Sequence, residues 1–258
     1  VDEEWIWDYI HLTSDDKTRR LDLSFLHDEV NTWFSVESLE KIMGPSDGVT
    51  ETIGREWLAR AGKRWRPFLS TAAFQALRPD TDEAIPESLK KIAIAVECFH
   101  KASLIHDDIE DEDIERYGEK TLHEEHSVAI ALNVGDLLIG EGYRLIAETS
   151  VSDAQITAMT KVAAEGQRHL CRGQGAELIW QKNPEPLKSR EVLEIFRQKT
   201  APAFEVALRL GSICADLEEY NEASEIIGQY SENLGIAYQI RDDLTDLGGC
   251  LLYTSDAA

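Results

Sequence analysis

Ser103-Leu104-Ile105-His106-Asp107-Asp108-Ile109-Glu110-Asp111 decides how this chain is read, because an apolar run feeds directly into carboxylates. Ile92, Val96, Phe99 and Ser103 continue into Asp107 on one helical stripe, with Ile94 and Leu104 at neighbouring positions. Asp107 and Asp111 stand about one turn apart on one face. The pattern recurs where Leu234-Gly235-Ile236-Ala237-Tyr238-Gln239-Ile240 runs into Arg241-Asp242-Asp243-Leu244-Thr245-Asp246. One such cluster in an acidic chain reads equally well as a solvated face. Two that emerge from core and face each other make a cage of oxygen ligands. Mg²⁺ is bound by a few carboxylates together with waters and substrate phosphates, so a diphosphate held through magnesium is the expected ligand.

An unusually basic segment lies upstream, Gly62-Lys63-Arg64-Trp65-Arg66-Pro67. Alone it reads as a helix start with Pro67 in the first turn. Beside two acidic clusters, it suits a second diphosphate held directly by cations.

The pattern is helical almost throughout from Glu51 onward, over 128–146, 156–179, 192–210 and 223–247. Breaks fall at Arg78-Pro79-Asp80, Tyr117-Gly118, Asn183-Pro184-Glu185-Pro186 and Ala215-Asp216. No alternating strand with a hairpin signal stands out, which predicts one all-α bundle. Residues 1–48 form an acidic extension containing Trp5, Trp7, Trp33 and Phe34, with a helix expected over 23–43 up to Gly44-Pro45. The early tryptophans are expected to dock on the domain. Residues 250–258 are neither periodic nor capped and read as a foreign tail or a truncation point. The first residues lack an initiator Met and the pattern of a secretory signal, so a fragment is expected.

A chain of 258 residues buries roughly 70–75% of its unfolded surface, enough for one large core. Its 26 basic and 49 acidic residues give a net charge of −23, which argues against nucleic acid and anionic lipid as partners. No apolar stretch approaches the roughly 20 residues of a membrane span. Cys98, Cys171, Cys214 and Cys250 are scattered without a Cys-x-x-Cys pair, as expected for core thiols in a reducing cytoplasm.

With these elements in this order, and with Lys199-Thr200, the chain resembles the trans-isoprenyl diphosphate synthases of the polyprenyl synthetase family over residues 49–249. The resemblance implies a single-domain, all-α bundle of the isoprenoid synthase type with a central cavity flanked by the two Asp-rich motifs. It implies a cytoplasmic homodimer that condenses isopentenyl diphosphate head-to-tail (1′-4) with an allylic prenyl diphosphate. By that resemblance, Asp107 and Asp111 ligate two Mg²⁺ ions and Asp242 a third, supported by Asp108, Asp243 and Asp246. Lys63, Arg66 and His100 match the isopentenyl diphosphate site, and Arg116 matches the grip on the allylic diphosphate. Lys199, Thr200 and Gln239 would line the reacting centre. The metal-assisted ionisation of the allylic C–O bond, attack by the isopentenyl double bond and proton loss to diphosphate need no protein nucleophile.

The chain departs from the family in three places. Paired arginines after the first motif become Arg116-Tyr117. The Gly-Gln-x-x-Asp element becomes Gly173-Gln174-Gly175-Ala176-Glu177, leaving Gln174 for substrate and Glu177 for metal. The family's further helices and lysines have no match after Gly249.

Ala102 and Ser103 are small and leave the path of a growing chain open. Phe99 lies two turns before Asp107, about 12 Å along the helix, and as the floor would give a geranylgeranyl (C20) or longer product. A terpene cyclase would share both acidic motifs, although Lys63, Arg66 and His100 favour condensation. A non-catalytic partner subunit is a further reading, opposed by the intact aspartates. A di-iron bundle needs two Glu-x-x-His pairs, and only Glu97-Cys98-Phe99-His100 fits.

Overall fold

The computed structural model describes residues 23–78 and 84–255, and the side chains at 23–24, Phe196, 242–243 and 245–255 lie outside what is described. The fold is all-α. Its helices are α1 (Leu23–Thr32), α2 (Val36–Met43), α3 (Val49–Ala59), α4 (Trp65–Ala76), α5 (Glu87–Glu110), α6 (Leu122–Glu125), α7 (Val128–Ala147), α8 (Asp153–Lys182), α9 (Ser189–Lys199), α10 (Ala201–Ala215) and α11 (Leu217–Ser255).

Helix α5 is the central element. It packs on α7, α4 and α10, and its residues Leu89, Ile92, Ala93, Ile94, Ala95 and Cys98 are fully buried. A helix buried on nearly every side is hydrophobic all round rather than along one stripe. The polar groups it carries inward, Glu97, His100 and Lys101 in its middle and Asp107 and Asp108 in its last turn, are therefore the exceptions that shape the site.

The expected single helix over 23–43 is split. Ser35 caps α2 by accepting from the Ser38 amide, so the chain turns at Trp33–Ser35 and tucks both aromatic rings inside. Val30, Trp33, Phe34, Leu39 and Met43 all join the main core cluster. Arg55 fastens α2 by donating to the carbonyls of Leu39 and Gly44 at 3.1 and 3.2 Å. Trp5 and Trp7 lie outside the described residues.

The helical stretch expected over 192–210 is also two helices, α9 and α10, parted at Thr200 with Pro202 in the first turn of α10. A short antiparallel hairpin corrects the expectation of no strands: β1 (Glu115–Arg116) pairs with β2 (Glu119–Lys120). Its two-residue loop, Tyr117-Gly118, has φ of 57° and 78°, the primed turn that suits strand twist. The signal was easily missed because tyrosine stands where glycine or asparagine is usual. No described helix is long and apolar enough to cross a membrane.

Candidate active site

A cavity of about 330 Å³ opens between α5, α8, α9, α10 and α11. One wall is acidic. Asp107 and Glu110 reach it from the end of α5, and Gln174 of α8 closes across by donating to Glu110 Oε2 at 2.8 Å. Lys199 enters from the end of α9 and pairs with Glu177 at 2.6 Å. Burial pushes the Asp107 carboxyl up to about 6, Lys199 pulls it back, and Glu110 and Asp111 raise it further. Burial raises Asp111 as well, again against Lys199. Clustered carboxylates with one lysine between them call for more positive charge than the protein supplies.

Two glycines place Lys199 and Thr200. A Cβ on Gly173 of α8 would lie 2.7 Å from the Gln198 carbonyl carbon, and one on Gly235 of α11 would lie 2.5 Å from the Ala201 Cα. Helices α8 and α11 therefore press backbone to backbone on both sides of the α9–α10 break. Thr200 then donates to Gln239 Oε1 at 3.0 Å, tying the break to α11 beside Tyr238, which also lines the cavity. Asp242, Asp243 and Asp246 follow on α11 about one turn and more beyond, but their side chains lie outside the described residues. Among the described residues no three His, Cys, Asp or Glu side chains converge on one metal position. The donors present, carboxylates crowded on one helix end, still suit a hard dication that takes one or two protein oxygens and fills its sphere with water and phosphate.

Next to the acidic wall lies a cation well. Arg66 donates to His100 Nε2 at 3.0 Å. Guanidinium only donates, so the imidazole is neutral with its proton on Nδ1. Burial, then Arg66, Lys101, Arg116 and Arg64, hold His100 well below its usual range. Arg66 Nε is buried without a hydrogen-bond partner among the described residues, an unused donor facing this region. Arg64 has φ of 51°, uncommon for a side-chain-bearing residue. It is held there by a buried pair with Glu97, by the carbonyls of Leu58 and Arg60 at 2.7 Å, and by the Phe34 ring 4.3 Å from its guanidinium carbon. Lys63 is exposed, and its carbonyl accepts from His27 of α1 at 2.9 Å.

Arg116 pairs with Asp108, which is 1% exposed, and reaches Asp113 Oδ2 at 3.4 Å. Asp108 is thereby set among the groups beneath the hairpin, and burial raises it despite Arg116. Asp111 is exposed just past α5, as its C-cap, with its amide bonded to the Asp107 carbonyl.

The far end of the cavity is apolar. Phe99, Ser103, Val96, Ala163 and Val206 line it. Phe99 stacks edge-on against Tyr143 at 5.1 Å and fills the space that a Cβ on Gly142 would occupy, 2.6 Å away. Ala102 is fully buried in the core cluster and does not line the cavity, whereas Ser103 does.

Sequence reasoning missed three residues that back the site from behind: Lys101 under the basic loop, Glu97 paired with Arg64, and Tyr143 against Phe99. A signal for Lys101 was available: Ile94, Cys98, Lys101, Ile105 and Asp108 fall at alternating spacings of four and three, the most buried face of α5. A lysine there is a buried charge.

Fold and site together define an all-α protein built around a cavity with a carboxylate end, a cationic end and an apolar tunnel. The polyprenyl synthetase family model matches residues 48–250. The short chain isoprenyl diphosphate synthase of Methanocaldococcus jannaschii is 30% identical over 192 residues, covering 74% of this chain and 56% of its own length. The farnesyl diphosphate synthase of Haemophilus influenzae is 34% identical over 197 residues, covering 74% and 64%. The crystal structure of geranylgeranyl pyrophosphate synthetase from Pyrococcus horikoshii Ot3 matches with a TM-score of 0.74 at 28% identity, covering 87% of this chain and 66% of that one. This chain belongs to the polyprenyl synthetase family, and it spans less than two thirds of the length of these curated relatives.

Proposed function

We propose that the protein is a Mg²⁺-dependent prenyltransferase that joins isopentenyl diphosphate head-to-tail to an allylic prenyl diphosphate, acting as a homodimer. The observation that carries this reading is the adjacency of two unlike anion sites in one hollow. Asp107 and Glu110 line it and offer oxygens toward metal, with Asp111 on the next position of the chain and Glu177 reached through Lys199, while Arg66 and His100 offer donors with no carboxylate between them. One diphosphate is thus suited to metal and the other to direct cationic contact. Asp242 and Asp246 of α11 complete the metal-binding set in this reading, with about three ions.

Bound Mg²⁺ supplies Lewis-acid assistance to departure of the allylic diphosphate. The protein does the rest. Lys199 exchanges Glu177 for the departing diphosphate and neutralises charge as it develops. Thr200 and Gln239, already bonded to each other, present oxygen dipoles beside the carbon that turns cationic. Arg66 and neutral His100 fix isopentenyl diphosphate so that its double bond reaches that carbon. Val96, Phe99 and Val206 keep water from the cation. Phe99, braced by Tyr143, supports a C20 product.

Incubation with Mg²⁺, isopentenyl diphosphate and each allylic primer in turn, followed by product sizing, tests the proposal. Linear prenyl diphosphates are expected. A cyclic hydrocarbon made without consumption of isopentenyl diphosphate would replace this reading with a cyclase.

A further inference from the structure

Lys101 is 0% exposed, an unusual state for an ammonium. Its Nζ donates to the carbonyls of Ala61 at 3.0 Å and Arg60 at 3.4 Å, the backbone that enters the basic loop from the end of α3. It lies 5.4 Å from the Trp57 ring centroid and 4.5 Å from that of Tyr117. A Cβ on Gly62 would lie 3.6 Å from Lys101 Nζ and 3.8 Å from the Tyr117 hydroxyl. The ammonium is therefore directly beneath Gly62, roofed by the residue that the hairpin holds at positive φ. Glu97 is the buried carboxylate of this cluster. One of its oxygens pairs with Arg64, and the other has no hydrogen-bond partner among the described residues. One carboxylate does not neutralise Arg64, Arg66 and Lys101 together. The excess positive charge lies beside Gly62 and acts on His100, the partner of Arg66.

We propose that Lys101 is a positioning residue for the isopentenyl diphosphate subsite, setting its charge and the course of its Arg60–Arg64 loop from below while Tyr117 shields it from water. Tyr117 thus stands where a second arginine was expected because the cation is supplied from underneath. A guanidinium in that place would meet the Lys101 ammonium. The inference rests on the prenyltransferase reading and adds a residue to it.

The experiment measures isopentenyl diphosphate binding to the full chain by calorimetry in EDTA, and KM for each substrate with Mg²⁺, for wild type and Lys101→Met. The variant is expected to bind isopentenyl diphosphate about tenfold more weakly or worse, with its KM raised in step. KM for the allylic primer is expected to change less than twofold. Unchanged isopentenyl diphosphate affinity, or an equal rise for both substrates, overturns the inference and leaves the prenyltransferase reading standing. Wild type that neither binds isopentenyl diphosphate nor turns over overturns both.

Should Lys101→Met fail to fold by circular dichroism, the wild-type affinity is followed from pH 7 to 9. Burial pushes Lys101 down to about 8, against Glu97, while Arg64, Arg116 and Arg60 add to the lowering. Burial holds His100 well below its usual range, so it is neutral throughout, and burial raises Tyr117 above the usual phenol range. Affinity is expected to fall as pH rises through about 8. A flat profile overturns the inference.

Discussion

At the scale of single residues, the site is a matter of which charges lack a full complement. Lys199 touches Glu177 and sits close enough to Asp107 and Asp111 to work against the burial that raises both, so removing it takes from three carboxylates the cation they share. Lys199→Ala is expected to lower kcat about 100-fold, as loss of one preorganised electrostatic group typically does, with a small change in KM for isopentenyl diphosphate. Steady-state kinetics with each substrate varied checks this. Lys101 gives a prediction about stability. Its pKa in the folded protein is below its unfolded value, so between about 8 and 10.5 only the unfolded chain binds the proton. Wild-type stability should therefore rise with pH across that window, by about 3 kcal/mol relative to Lys101→Met. Urea unfolding at stepped pH values measures it. The acidic residues and the Lys-Arg-x-Arg segment were legible in the sequence because they are conspicuous. The pairings were not. Arg116 with Asp108 and Arg64 with Glu97 depend on burial, which a run of letters does not display.

At the scale of elements, helix existence followed from periodicity, and the errors fell where one side chain overruled it. Ser35 breaks 23–43 by capping, and Thr200 with Pro202 breaks 192–210, although the apolar spacing carries on through both. The hairpin was invisible because Tyr117 takes a conformation that tyrosine seldom adopts and that its contact with Lys101 helps to hold. Contacts between elements yield two predictions. On the α5–α7 pair, Phe99→Ala removes the ring braced by Tyr143 and should lengthen the principal product, as seen by chromatography of the dephosphorylated prenols. An unchanged product would mean that Phe99 is not the floor. On the α4–α10 pair, a Cβ at Gly211 would sit 1.9 Å from the Ser70 carbonyl oxygen, which is backbone and does not swing aside. Gly211→Ala should cost about 2–3 kcal/mol or more in chemical denaturation, toward the upper end for overpacking.

At the scale of the whole molecule, the boundary expected near residue 48 coincides with the start of the family match but not with an edge of the core. Trp33, Phe34, Leu39 and Met43 are inside the same cluster as Trp57, Ile92 and Leu138, and His27 and Phe34 hold the basic loop. A chain begun at residue 48 should unfold at markedly lower urea or aggregate, because it uncovers that face. An undiminished midpoint would show that α1 and α2 are an appendage. Composition revealed an acidic protein and periodicity a helical one, but the place of the cations that matter required the fold. Lys199 is the most telling of them. Tethered to Glu177, it sits at the carboxylate mouth, where a free dication would have to compete with it for the same oxygens. On the proposed reading, a metal that brought a phosphorylated guest would give the lysine somewhere better to go, so loading would favour the ion and its cargo as a package over either traveller by itself.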